Sequence, residues 1–247
     1  MIPSSALPKT GILKLKEENL HSAYLFVPQT YNPARSYPVI ISLCDDEKKL
    51  EPEVQAWSAI AERSGLIVLA SFAFIREGSD PQPYDQRLLG LIPKLMVQYH
   101  IARNKIFLIA QGRLAHYASY AGITYPDKFS AVALLDGAWN GPYEKMMTFQ
   151  NTPRKQVPFY VALKGAEDSF KAQIASTAQK LQSKGYLIEI ETLGEKEDFS
   201  SREFQKKALD WLMNKSEVWQ DAVEKSKKTW KERFKTALEN NITIDSK

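Results

Sequence analysis

The chain has little of what several kinds of chemistry require. It holds one cysteine, Cys44, in 247 residues, which excludes an internal disulfide and leaves the redox compartment open. Its three histidines, His21, His100 and His116, lie in separate segments and form no HxxxH or HxH pair. A metal site therefore has poor support, and no cofactor is expected. No segment approaches the roughly 18 consecutive apolar residues that a membrane helix requires, so no membrane span is expected. There is no arginine-rich arm and no aromatic-basic platform. The formal charge of +4 and pI near 8.9 come from lysines dispersed among acids, which speaks against a nucleic-acid partner. The opening "MIPSSALPKTG" lacks the basic start and apolar stretch of a secretory signal. The cytoplasm is the expected compartment, with the periplasm or exterior as the alternative for a trimmed mature form.

What is present is the composition of an ordinary soluble globular protein, 44% hydrophobic and 25% charged. The length suits one large α/β domain with a core that needs no staples. Short β-branched runs alternate with stretches of helical period, the pattern of crossover units around a mostly parallel sheet. "GILKLKEE" and "HSAYLFVPQ" alternate with period two and predict an opening antiparallel hairpin. "YPVIISLCD", "GLIVLASFA", "KIFLIAQ", "FSAVALLDG", "PFYVALKG" and "YLIEIETLG" predict buried strands. Helices are expected over "PEVQAWSAIAERSG", "YDQRLLGLIPKLMVQYH", the segment after Gly112, "SFKAQIASTAQKLQSKG" and "SREFQKKALDWLMNK", with Gly65 and Gly185 placed as left-handed caps. After Lys215 the pattern changes. Trp219, Val223, Trp230, Phe234 and Leu238 fall at helical spacing among mixed charges, which predicts an appended amphipathic helix. The chain divides on this reading into a domain over 1–215 and a helix and tail over 216–247.

Eight strands in this order, a leading hairpin and a closing helix resemble the α/β-hydrolase fold, and in particular the esterases and poly(3-hydroxybutyrate) depolymerase-like enzymes. The resemblance spans roughly residues 20 to 213. It is carried by "YLFVPQTYNPARSYPVIISLCDDE", similar to the opening that leads to the oxyanion turn, and by "HIARNKIFLIAQGRLAHYASYAGITYPDKFSAVALLDG", similar to the elbow strand, its helix and the next strand. It implies a three-layer sandwich around a mostly parallel eight-stranded sheet, with an N-terminal antiparallel hairpin and an extra C-terminal helix.

The chemical motifs of that family depart from its pattern. A G-x-S-x-G elbow exposes a serine on a sharp strand-to-helix turn. Here "AQGRL" places Gly112 at the nucleophile position, Arg113 after it and Leu114 where the second glycine belongs. After the third strand an H-G pair is replaced by "LCDDE", so Cys44, Asp45, Asp46 and Glu47 stand where an oxyanion would form, and anionic side chains oppose one. After the eighth strand "LGEKEDFSSREF" has no histidine to act as base. Only the acid position is matched, by Asp168 in "VALKGAEDSF". Loss of a triad nucleophile costs about 10⁶ in turnover. The expectation is therefore of no enzyme: a pseudo-esterase serving as a scaffold or binding component through protein contacts or self-association, with Trp219, Val223, Trp230, Phe234 and Leu238 as candidate partner-binding residues. Two alternatives stand beside it, an active carboxylesterase-like hydrolase with non-standard residues, and a binder of a small ligand or cation in the former active-site crater.

Other candidates have a bland reading each. Cys44 beside acids has a raised pKa and reads as a small residue at a strand end rather than a replacement nucleophile. His116, one turn after Gly112, reads as a helix residue. Asp45, Asp46, Glu47, Asp136, Asp168, Glu195, Glu197 and Asp198 gather at strand ends, where they line a crater for a cation or amine or are simply solvated. Arg113 is expected to pair with Asp168 or Asp45 and, with Cys44 and Asp45, to fill the crater. The terminal helix either folds back, burying its aromatics for about 1.5–3 kcal/mol each, or presents them as an apolar patch.

Overall fold

The computed structural model describes residues 8–16, 22–75, 79–149, 156–194 and 197–242. The eight expected strands all form: β1 (Gly11–Lys16), β2 (Ser22–Val27), β3 (Tyr37–Cys44), β4 (Ile67–Phe72), β5 (Ile101–Gln111), β6 (Ala131–Leu135), β7 (Phe159–Lys164) and β8 (Ile188–Leu193). They make one sheet in the order β1-β2-β4-β3-β5-β6-β7-β8. The hairpin β1–β2 is antiparallel in the register Gly11 to Val27, β2 lies antiparallel to β4, and the remaining pairs are parallel. Among the described residues five α-helices follow β3, β4, β5, β7 and β8: α1 (Leu50–Ser64), α2 (Gln82–Gln98), α3 (Arg113–Thr124), α4 (Asp168–Gln182) and α5 (Arg202–Ile242).

The pleat sorts the apolar runs onto two cores. On β3, Val39, Ile41 and Leu43 face the layer of α2, α3 and α4, which adds Leu88, Leu91, Ala118, Ile174 and Leu181. Ile40 and Cys44 face the layer of α1 and α5, which adds Val54, Trp57, Phe204 and Leu212. Burial on both faces is why these strands read as continuous apolar runs instead of alternating ones, and each large side chain so buried contributes about 1.5–3 kcal/mol. Helix α1 stops at Gly65, whose φ of 59° and ψ of 51° make it the left-handed cap anticipated from sequence.

Two separate helices were expected around Lys215, and one forms. α5 runs 41 residues without a break. The reason is local. The junction has neither glycine nor proline, and Ser216, the residue best suited to cap a new helix, is fully buried and donates its hydroxyl to the carbonyl of Met213 (2.9 Å), a bond made inside a helix rather than at its start. Past that point α5 still rests on the body, since Lys105 meets Glu217 (2.8 Å) and Gln220 exchanges hydrogen bonds with Asn104. The side chains of Trp219, Val223, Trp230, Phe234 and Leu238 lie outside the described residues. Among the described residues, no helix is long and apolar enough to cross a membrane.

The topology marks where a site belongs. From β3 the chain pairs outward to β4, then crosses over to β5 on the other side of β3. In open α/β sheets a crevice forms at such a switch point, beyond the carboxyl ends of the strands.

Candidate active site

β5 runs straight into α3 through a single residue, Gly112, with φ 59° and ψ −130°. L side chains adopt this left-handed backbone only under strain, which is the geometry of a nucleophile elbow. The turn is held from beneath. The Gly112 N–H donates to the carbonyl of Leu135 at the end of β6 (2.7 Å), and the Gly112 carbonyl accepts from Ala115 N–H (2.9 Å). Gly137 lets the next connection pass close by, for a Cβ there would stand 2.6 Å from the Gly112 carbonyl oxygen and 2.9 Å from Ala115 Cβ. A Cβ on Gly112 itself would meet no heavy atom within 4 Å. The elbow thus keeps its conformation and its open outward side, with a glycine at its tip.

Beyond the tip lies a crater of about 420 Å³, at the switch point between β3 and β5. Its walls come from the end of β3, the elbow, α1, and the loop from β8 into α5. Arg113 and Leu114 begin α3 here, so their N–H groups have no partner within the helix and point the positive end of its dipole at the crater. Arg113, Cys44 and Asp45 all line it.

Of the acids after β3, Asp45 is paired with cations and Asp46 caps a turn. Lys49 donates to Asp45 (2.8 Å) and holds its carboxyl below the usual carboxylate range, with the Arg113 guanidinium 3.9 Å away adding to the effect. Asp46 caps the short 3₁₀ turn Glu47–Lys49 by accepting from Lys48 N–H (2.9 Å). Arg113 therefore chooses Asp45 over Asp168. Asp168 opens α4 fully exposed, 3.3 Å from Lys171. Asp136, in a left-handed conformation with φ 50°, accepts from Lys164 N–H (2.7 Å) and lines a separate depression with Glu167. Of the strand-end acids among the described residues, Asp45 and Asp198 line the crater. Glu197 turns back to Gly194 N–H (2.6 Å), and Glu195 lies outside the described residues. Asp198 accepts from the Ser200 hydroxyl (2.6 Å), which lowers its pKa.

Of the described histidines, neither lines the crater. His116 Nδ1 contacts the carbonyl of Ala138 (2.9 Å), His100 Nδ1 contacts that of Pro33 (3.1 Å), and His21 lies outside the described residues. Among the described residues no cluster of three His, Cys, Asp or Glu side chains is placed to hold a metal ion.

Cys44 is buried, and its thiol is pushed up to about 12, first by burial and then by the charges of Glu53 and Asp45. A thiol so protected is no nucleophile at neutral pH. Labelling by an aromatic disulfide at pH 8 is expected to run about 10³-fold slower in the folded than in the urea-unfolded protein, from thiolate fraction alone. The raised folded pKa also fixes a sign. The stabilisation is complete below the unfolded value of 9.0 and is lost as pH climbs toward about 12, a difference of up to about 4 kcal/mol that Cys44→Ala should lack.

Sequence reasoning passed over the polar groups on the floor. Ser42, a buried serine inside the apolar run of β3, donates to Glu53 Oε1 (2.7 Å), and Trp57 Nε1 donates to the same oxygen (3.0 Å). Both bonds fall on Oε1, and Glu53 lines the crater. Gln205, from the first turns of α5, is 2% exposed, and its side-chain oxygen has no partner among the described residues. Two signals were present: a serine breaking "VIISLC", and a Glu–Trp pair four apart on one helix face.

No protein-family model matches the chain, and no curated protein matches it. Solved structures do. A thermostable esterase superposes with a TM-score of 0.60 at 18% identity, over 82% of this chain and 62% of its own, so the chain spans less than two thirds of that protein. The S-formylglutathione hydrolase of Staphylococcus aureus gives 0.57 at 12% identity, over 82% and 98%. Esterase 2 of Thermogutta terrifontis gives 0.59 at 12%, over 85% and 96%. These likenesses correct the expectation that the chain is not an enzyme. These structures, which share its frame, are esterases and hydrolases. At these identities the likeness establishes the frame: this chain has the α/β-hydrolase fold.

Proposed function

We propose that the chain is a carboxylesterase-like hydrolase with non-standard residues, in which a water molecule activated by Glu53 takes the place of an elbow serine. The observation that carries this reading is the elbow itself: Gly112 keeps the strained turn, and no heavy atom lies within 4 Å of the position its Cβ would take. A water fits where a hydroxyl would have stood. Glu53 Oε2 takes a proton from that water, and the hydroxide adds to the ester carbonyl. The oxyanion then faces the Arg113 N–H at the start of α3, with the Arg113 and Lys49 cations in the same wall. The intermediate collapses with loss of the alkoxide, which recovers the proton from Glu53. One ester and one water become one acid and one alcohol.

Without a covalent nucleophile the acceleration is modest. Oxyanion stabilisation and binding supply about 10³- to 10⁴-fold over water, to which a general base adds 10² or more. The test is hydrolysis of p-nitrophenyl butyrate in ¹⁸O-water. Steady turnover above buffer, with no burst and no acyl adduct on the intact protein, is expected. A stoichiometric burst with an adduct, or no turnover above buffer, would refute the mechanism.

A further inference from the structure

The two edges of the sheet are built differently. β1, at one end, carries Lys14 and Lys16, and lysine on an edge strand discourages further pairing. β8, at the other end, has neither lysine nor proline, and it keeps a regular parallel register with β7 from Ile188 opposite Phe159 to Leu193 opposite Lys164. Phe159 N–H donates to the Leu187 carbonyl (2.9 Å), which fixes the phase of the ladder. Glu189 and Glu191 turn their backbone groups to β7, and Ile188, Ile190 and Thr192 turn theirs outward. Gln182 Nε2 covers the outward carbonyl of Ile188 (3.0 Å). Among the described residues nothing bonds the outward groups of Ile190 and Thr192, and the Ile190 side chain between them is 36% exposed.

We infer that β8 is a dimerisation edge, on which a second copy of the chain lays its own β8 antiparallel about a two-fold axis at Ile190. The strand is complementary to itself in that register. Each Ile190 N–H meets the Ile190 carbonyl of the other copy, and each Ile188 N–H meets the Thr192 carbonyl, so the pairing does not depend on the carbonyl that Gln182 covers. On the α4 side, where Ile188 belongs to the core, the two exposed Ile190 side chains cover each other. On the α5 side each Glu189 stands opposite Glu191 of the second copy. Like charges so placed repel, but here a cation comes with them. Glu191 is bound by Lys207 and by the Tyr160 hydroxyl, while Glu189 accepts only from Trp211 Nε1 (2.6 Å) among the described residues. Lys207, whose side chain is 56% exposed, then lies between Glu191 of its own copy and Glu189 of the other. Each strand brings the cation that the opposite carboxylate lacks. An isologous pair consumes both β8 edges and leaves the lysine-bearing β1 edges outermost, so assembly stops at the dimer. The inference is independent of the chemistry of the crater.

Sedimentation velocity over about 1–200 µM protein tests the pairing, since association follows mass action. The wild type should pass from monomer to dimer as concentration rises. Ile190→Lys sets two ammonium groups face to face at the axis and should weaken the dimer by about tenfold or more, with the far-ultraviolet circular dichroism of the wild type retained. Crosslinking tests the register. Residues facing each other in a hydrogen-bonded antiparallel pair have Cα atoms about 5.5 Å apart, within reach of a disulfide. Ile190→Cys should therefore form a covalent dimer on mild oxidation. Thr192→Cys should not, because the two copies of that position are offset by about 13 Å along the strands, and Cys44 is buried away from both. A wild type that stays monomeric or grows past a dimer, or a dimer untouched by Ile190→Lys, overturns the inference. So does failure of Ile190→Cys to crosslink, or equal crosslinking of Thr192→Cys. Should Ile190→Lys not fold, the two cysteine variants carry the same test.

Discussion

Replacing Asp85 by alanine is expected to cost about 3–5 kcal/mol of stability, the loss characteristic of breaking a buried charged network. Asp85 sits on α2, 3% exposed. Its carboxylate accepts from three tyrosine hydroxyls, Tyr117 (2.6 Å) and Tyr120 (3.1 Å) on α3 and Tyr125 (2.7 Å) at its end. Bonds to an ionised acceptor are worth about 1.5–3 kcal/mol each when made, and stranding the donors adds their desolvation. Burial, followed by the neighbouring carboxylate, raises the Tyr117 and Tyr125 hydroxyls strongly, so they remain protonated donors. Alanine would leave the buried Tyr117 and Tyr120 hydroxyls without that acceptor, while Tyr125 is only half-buried. At 2–4 °C per kcal/mol for a chain of this size, thermal unfolding should begin about 6–20 °C lower. Asp85→Asn, which keeps one acceptor oxygen, should lose less. Because α3 is the helix that follows the elbow, ester turnover should fall along with the melting temperature. A loss under 1 kcal/mol for Asp85→Ala would mean that the network does not bind α2 to α3.

That network could not have been read from the chain. Its members are 32, 35 and 40 positions apart, and tyrosine at helical spacing reads as ordinary core. The strands were legible because burial on both faces makes them continuous β-branched runs, and the elbow was legible because a glycine between a strand and a helix has few other uses. The composition changes at Lys215 without a breaker, so α5 runs through a point that sequence marks as a boundary. Asp168 was chosen by spacing, but its carboxylate is directed to solvent beside Lys171. The crater floor escaped notice because Ser42, Glu53 and Gln205 come from three elements that only the fold brings to one cavity. The pairing of Asp45 with Lys49 and Arg113 depends on side-chain directions that sequence does not carry.

Glu53→Gln is the second large effect. Glutamine retains an oxygen to accept from Ser42 and Trp57, so the local bonds that hold residue 53 survive, while the group that takes a proton from water is gone. General-base catalysis contributes about 10²- to 10⁴-fold, and that is the expected drop in kcat/KM for p-nitrophenyl butyrate. Ground-state binding should change little, since the loss belongs to the transition state. The decisive measurement is therefore the ratio of kcat/KM between the wild type and Glu53→Gln, on proteins with matching melting curves. A ratio of 100 or more is predicted. A ratio near one, with turnover intact in both, would contradict water activation by Glu53 and place the chemistry elsewhere on the fold.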